Sequence, residues 1–153
     1  MSVVRFLSEG GWRVVSVDYP QSGCGLALRP ADCRDKNRGK LIPDVIAVRR
    51  NIVMVVESNT KCTRKDIANL AKAKSEAYLG AIAEVAAVQK DLLLVKTALA
   101  VGAAIRLSDP WFARLQNAAI DLLIRVHPNG ACAVEFLRSG KLPPPSLWPT
   151  EDT

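Results

Sequence analysis

Apolar positions along the chain follow two rhythms. Val3, Val4, Phe6 and Leu7 recur at helical spacing and predict a helix over Ser2–Glu9, closed by Gly10-Gly11. Arg13–Asp18 is Val-rich and predicts a strand that Pro20 ends. Leu41–Arg49 and Ile52–Glu57 are apolar on both alternating faces, with Val45 and Ala47 on one side and Ile46 and Val48 on the other. That pattern belongs to central strands covered by helices on both faces. From Thr63 to Val88, Ile67, Leu70, Ala71, Ala77, Tyr78, Ala81, Ile82 and Val85 form one helical stripe, opened by a Thr63/Asp66 capping box. Asp91–Val101 predicts a further buried strand that turns at Gly102. Ser108-Asp109-Pro110 starts a helix whose Trp111, Leu115 and Ala118 face inward. Ile120–Val126 and Ala131–Leu137 form a hairpin about Asn129-Gly130, and LPPPSLWPTEDT predicts an extended tail whose Trp148 docks on the body. Between these elements Gln21–Lys40 has no period and reads as a long loop.

The adjoining strands 41–49 and 52–57 carry the one feature that binary patterning does not explain. One begins at Pro43-Asp44 and the other ends at Glu57-Ser58-Asn59, so carboxylates emerge from a sheet that is otherwise apolar on both faces. With Arg50-Asn51 as a two-residue turn, Arg49 pairs with Ile52, Val48 with Val53, and so back to Asp44 with Glu57. Directly opposed residues share a face, with Cβ atoms roughly 5 Å apart. Asn59 follows Glu57 by two positions and shares that face, as does Lys61 if the strand continues. A turn one residue longer would turn one carboxylate to the other face.

Composition and charge narrow the function classes. A chain of 153 residues, 49% apolar, predicts one folded domain over 1–142 with a Pro-rich tail at 143–153. There is no run of about 20 apolar residues and no signal-peptide pattern, so a cytoplasmic protein without membrane partners is expected. The four cysteines (Cys24, Cys33, Cys62, Cys132) form no CxxC pair and there is one His, His127, which argues against structural zinc and for reduced thiols. No phosphate loop and no nucleophile–His pair points to a small-molecule α/β enzyme. The net charge of +6 is uneven: Arg29, Arg34, Lys36, Arg38, Lys40, Arg49 and Arg50 precede or join the carboxylate pair, and Lys61, Arg64, Lys65, Lys72 and Lys74 follow it. A polyanion such as nucleic acid is the natural partner, with a solubilising charged surface as the alternative. Within this set Arg34, Lys36, Arg38, Lys40, Arg64 and Lys65 are the candidate DNA contacts. The helix start after Asn59 adds backbone N–H groups suited to a phosphate.

Pro43-Asp44 on one strand, Glu57-x-Asn59 on the next and a helix from Thr63 resemble the PD-(D/E)XK nuclease superfamily, which includes type II restriction endonucleases. The resemblance covers Ser2 to Val101. It implies a restriction-endonuclease-like α/β/α sandwich with a central mixed sheet and a Mg²⁺-dependent endonuclease acting on double-stranded DNA. Asp44 and Glu57 would bind the metal together with the backbone carbonyl of Ser58. Catalysis would rest on Asp44, Glu57, Asn59 and Lys61. Cutting both strands implies a homodimer or a partner subunit. The family's usual Lys is Asn59 here, which can position a water but cannot neutralise charge. Lys61 can take over that role or open a phosphate-binding helix end. Two readings therefore stand: an active endonuclease of variant type, or a catalytically degenerate DNA-binding or interaction subunit on the same fold. Glu9 and Asp18 are lesser candidate acids, and His127 reads as a turn residue.

Overall fold

The computed structural model describes residues 2–18, 25–31, 38–49, 52–59, 63–87, 98–106 and 120–136. Helix α1 (Ser2–Glu9) leads into strand β1 (Arg13–Val17), followed by β2 (Val45–Arg49), β3 (Ile52–Ser58), α2 (Arg64–Ala73), a 3₁₀ turn (Glu76–Tyr78), α3 (Leu79–Ala87), β4 (Ala98–Arg106), β5 (Leu122–Val126) and β6 (Cys132–Phe136). The strands form one six-stranded sheet in sequence order. It is mixed: β1–β2, β2–β3 and β5–β6 are antiparallel, whereas β3–β4 and β4–β5 are parallel. The parallel β3–β4 pair needs a crossover, and α2 and α3 lie in that connection. The fold is thus a small α/β structure, as the strand patterning implies.

Alternation divides the core into two layers. Ile46, Val48, Val53 and Val55 share one face with Leu70, Ala73, Tyr78, Ile82 and Val85 from the helical crossover. Val45, Ala47, Ile52, Met54 and Val56 share the other with Val3, Phe6, Leu7 and Trp12. Each central strand is therefore covered on both faces. Leu70, fully buried, is a position where truncation to Ala costs about 2–5 kcal/mol.

The end of α1 shows how locally the chain is specified. Trp12 N–H donates to Leu7 O and Gly11 N–H to Ser8 O, at 3.0 and 3.1 Å. Gly11 has φ 77°. This is a Schellman ending, with the buried pair Leu7 and Trp12 as its apolar contact. Glu9 is exposed and ion-paired to Arg5 at 2.7 Å, a solvated helix pair rather than a ligand.

Several elements differ from the sequence reading. The helix predicted over 63–88 is two helices. Lys74 closes α2 and Ser75 is extended at φ −75°, ψ 156°. Ser75 Oγ takes up the Lys72 carbonyl at 2.7 Å, a local bond that competes with continuing the helix. Lys74 Nζ meanwhile pairs with Asp121 at 2.9 Å, so this lysine is a structural cation, not part of a basic surface. The break brings the Tyr78 hydroxyl to the Gly39 carbonyl. Ala71 and Ala77, assigned to the buried stripe, are exposed, because the stripe restarts after the break. The strand predicted over 91–101 with a turn at Gly102 is observed at Ala98–Arg106; Gly102 is paired on both sides, to Val56 and Leu122. β2 begins at Val45 rather than Leu41, since Pro43 has no N–H to give a ladder. Within the predicted loop 21–40, Leu28 makes an isolated bridge to Leu41. The predicted helix from Ser108, with Trp111, Leu115 and Ala118, and the tail with Trp148 lie outside the described residues.

Candidate metal centre

The β2–β3 register is the one required by the sequence reading: Arg49 pairs with Ile52, Val48 with Val53 and Val45 with Val56. One step further along this register places Asp44 opposite Glu57. Both belong to the face covered by α2 and α3, by parity with Ile46, Val48, Val53 and Val55. The Asp18 N–H donates to the Asp44 carbonyl at 2.8 Å, so pairing with β1 continues to this residue and holds its backbone.

The side chains converge. Asp44 Oδ2 accepts the Ser58 N–H at 2.6 Å. The Glu57 and Asp44 carboxyls lie close enough to act on one another, and the Asn69 side chain is near Glu57. Glu57 is only 8% exposed and Asp66 only 7%. Asp66, the third residue of α2, accepts the Thr63 N–H and hydroxyl on Oδ2, at 2.7 and 2.9 Å. Its Oδ1 accepts the Asn59 Nδ2 at 3.1 Å. Asn59, just past the end of β3, is thus held by a side chain from the first turn of α2.

Like charges gathered in a dry place shift proton affinity. Burial, with repulsion from Asp44 and Asp66, pushes the Glu57 carboxyl from 4.5 up to about 8, against the opposing Asn69 hydrogen bond. Asp44 is also raised, chiefly by burial and further by Asp66 and Asp18, although the Ser58 and Glu57 hydrogen bonds oppose the rise. Burial and mutual repulsion thus disfavour two full negative charges on this pair.

The expected site residues divide as follows. Asp44, Glu57, Ser58 and Asn59 come together. Ser58 contributes its N–H to Asp44. Arg64 and Lys65 are exposed on the first turn of α2, and Arg38 and Lys40 are exposed on either side of Gly39. Lys61, Arg34 and Lys36 lie outside the described residues, as does the Arg50-Asn51 turn. The helix end has fewer spare donors than its sequence implies, because Asp66 N–H is taken by Thr63 Oγ1 at 3.2 Å. Asp66 and Asn69 were missed as site residues. Asp66 reads in sequence as a cap only; its spacing to Asn69, Leu70 and Ala73 is the signal that places both on the sheet-facing side of α2.

Among the described residues no group of three or more His, Cys, Asp or Glu side chains is gathered to hold a metal ion. A cation here would have two carboxylates, Asp44 and Glu57, with the remaining positions left to backbone oxygen and water. That incomplete all-oxygen set suits Mg²⁺ better than a softer ion. The electrostatics agree with that fit: a dication would offset the burial and the like-charge repulsion that raise both carboxyls. Among the described residues no helix is long and apolar enough to cross a membrane. No family model, no curated protein and no solved structure matches the chain.

Proposed function

We propose that this protein is a Mg²⁺-dependent DNA endonuclease on a restriction-endonuclease-like fold, a type II restriction enzyme or a subunit of one. The observation that carries the reading is the opposed Asp44–Glu57 pair at the end of a doubly covered sheet. Structural carboxylates are normally paired with cations or left in water. Here a buried carboxyl, Glu57, faces a half-buried one, Asp44, which is unfavourable without a proton or a metal. When bound, Mg²⁺ would supply Lewis-acid stabilisation of the scissile phosphate and a more acidic attacking water. Asp44, Glu57 and the Ser58 carbonyl would hold it, Asn59 would orient the water, and Arg64 and Lys65 flank the helix end that the DNA backbone would approach.

A second reading has its own observation. Asn59 is uncharged and already commits its amide to Asp66, so it offers no cation to the transition state. This favours a degenerate nuclease fold that binds DNA without cutting. Plasmid nicking in Mg²⁺ against EDTA separates the two. The endonuclease reading expects nicking that Asp44→Ala and Glu57→Ala abolish while DNA binding persists. Binding without cleavage under Mg²⁺, Mn²⁺ and Ca²⁺ would establish the second reading.

A further inference from the structure

We infer that Asp66 is a positioning residue for the proposed hydrolysis, fixing Asn59 so that its carbonyl oxygen serves as a hydrogen-bond acceptor for the attacking water. The inference rests on the nuclease reading of Asp44 and Glu57. A carboxylate oxygen without a proton can only accept, so the group that faces Asp66 Oδ1 must be the Asn59 NH₂. The amide is planar, and holding its nitrogen against α2 turns Oδ1 away from that carboxylate. The side chain at this position is thereby given a polarity that its residue type alone leaves open.

The division of labour within Asp66 supports a role beyond helix capping. The capping box uses Oδ2, which takes both the Thr63 N–H and the Thr63 hydroxyl. Oδ1 is not needed by the cap and is given to Asn59. Asn59 is exposed and follows the last residue of β3, so no ladder bond otherwise holds its side chain. Ordering such a residue costs side-chain entropy on the order of 1 kcal/mol, which a surface residue without a task does not incur. Asn69, on the next turn of α2, lies near Glu57 on the same side of the helix.

In the reaction the water oxygen bonds to phosphorus as the P–O ester bond breaks. One water proton passes to solvent and the departing alkoxide takes one from solvent. Asn59 Oδ1 only accepts a hydrogen bond from the water and is unchanged. Asp66 touches neither water nor phosphate.

The test uses Asp66→Glu and Asp66→Asn in the full chain. Glu is the commoner residue at this place in a capping box, so Asp66→Glu keeps the helix start while displacing the carboxylate from Asn59. Three readings are taken: Mg²⁺-dependent single-turnover nicking, DNA affinity in Ca²⁺, and the Asn59 side-chain amide resonances, assigned by their loss in Asn59→Asp. Both variants should lose roughly ten- to hundredfold in cleavage rate with affinity held within about twofold, and should shift the Asn59 amide protons. Wild-type cleavage rates in both variants, or amide resonances unmoved by Asp66→Asn, would overturn the inference. If the native protein does not cleave at all, the nuclease reading falls; an Asn59 amide that still responds to Asp66 then marks the contact as purely structural, and the positioning role is overturned with it.

Discussion

The sheet contains two hairpins that treat charge in opposite ways. In β5–β6, Arg125 pairs with Glu135 at 2.8 Å, with side chains 20% and 36% exposed. The two residues sit diagonally, since Arg125 faces Ala133 and Leu123 faces Glu135. In β2–β3 the charged residues at the open end are Asp44 and Glu57, of the same sign and directly opposed, with Glu57 only 8% exposed. The first hairpin satisfies its charges internally and asks nothing of its surroundings. The second cannot, and burial with like charge raises both of its carboxyls. A fold selected only for stability would not retain the second arrangement, since an apolar pair would cost less. The contrast is what separates a structural ion pair from a candidate site on the same sheet.

The largest expected effect tests whether that frustration is functional. Asp44→Ala and Glu57→Ala should each lower Mg²⁺-dependent nicking by about 10²–10³-fold or more, with circular dichroism unchanged. Arg125→Ala should leave the cleavage rate within about twofold, because its charge is already answered by Glu135. Equal losses in the two hairpins would mean that the assay is reading stability rather than chemistry.

A smaller effect concerns pH. Because the Glu57 carboxyl is raised from 4.5 to about 8 in the folded chain, the folded state binds more protons than the unfolded state between those values. The contribution is therefore most favourable at low pH and is lost as pH rises toward 8. Without divalent cations, the midpoint of thermal unfolding should fall as pH goes from 5 to 9. Glu57→Gln keeps the shape, removes the titration and should flatten that slope, gaining on the order of 2 kcal/mol at the alkaline end. Millimolar Mg²⁺ should restore stability to the native protein and not to Glu57→Gln, by preferential binding to the folded state. A midpoint that rises with pH would contradict a raised Glu57 carboxyl.

The same hairpins show what the sequence discloses. Register is a matter of counting: once Arg49 and Ile52 flank a two-residue turn, Asp44 must meet Glu57, and the observed pairing follows. Asn129-Gly130 marks the other turn, although the loop is wider than two residues. His127 N–H bonds Ala131 O, Gly130 N–H bonds His127 O, and Gly130 sits at φ 86°, a turn followed by a glycine bulge. What counting misses are interactions set by the third dimension. Lys74 is tied to Asp121 across 47 residues, so nothing local marks that lysine as structural. Asp66 has a complete local explanation as a cap, so nothing in the sequence requires its second oxygen to be engaged elsewhere. Asn69 is one polar position on a mixed helix surface until β3 is known to end beneath it.

The smallest effect lies with the self-satisfied pair. Replacing both partners, Arg125→Met with Glu135→Leu, should change the unfolding free energy by less than about 1 kcal/mol, and a double-mutant cycle should give a coupling of about 0.2–1 kcal/mol. Raising ionic strength should shrink that coupling, because both groups are partly exposed. The corresponding cycle on Asp44→Asn and Glu57→Gln should have the opposite sign at pH 9, since there each partner destabilises the other. Salt should affect it less, because a buried interaction is screened less. Two cycles of the same sign and salt response would mean that the hairpins differ only in exposure, and the distinction between a complementary pair and a frustrated one would fail.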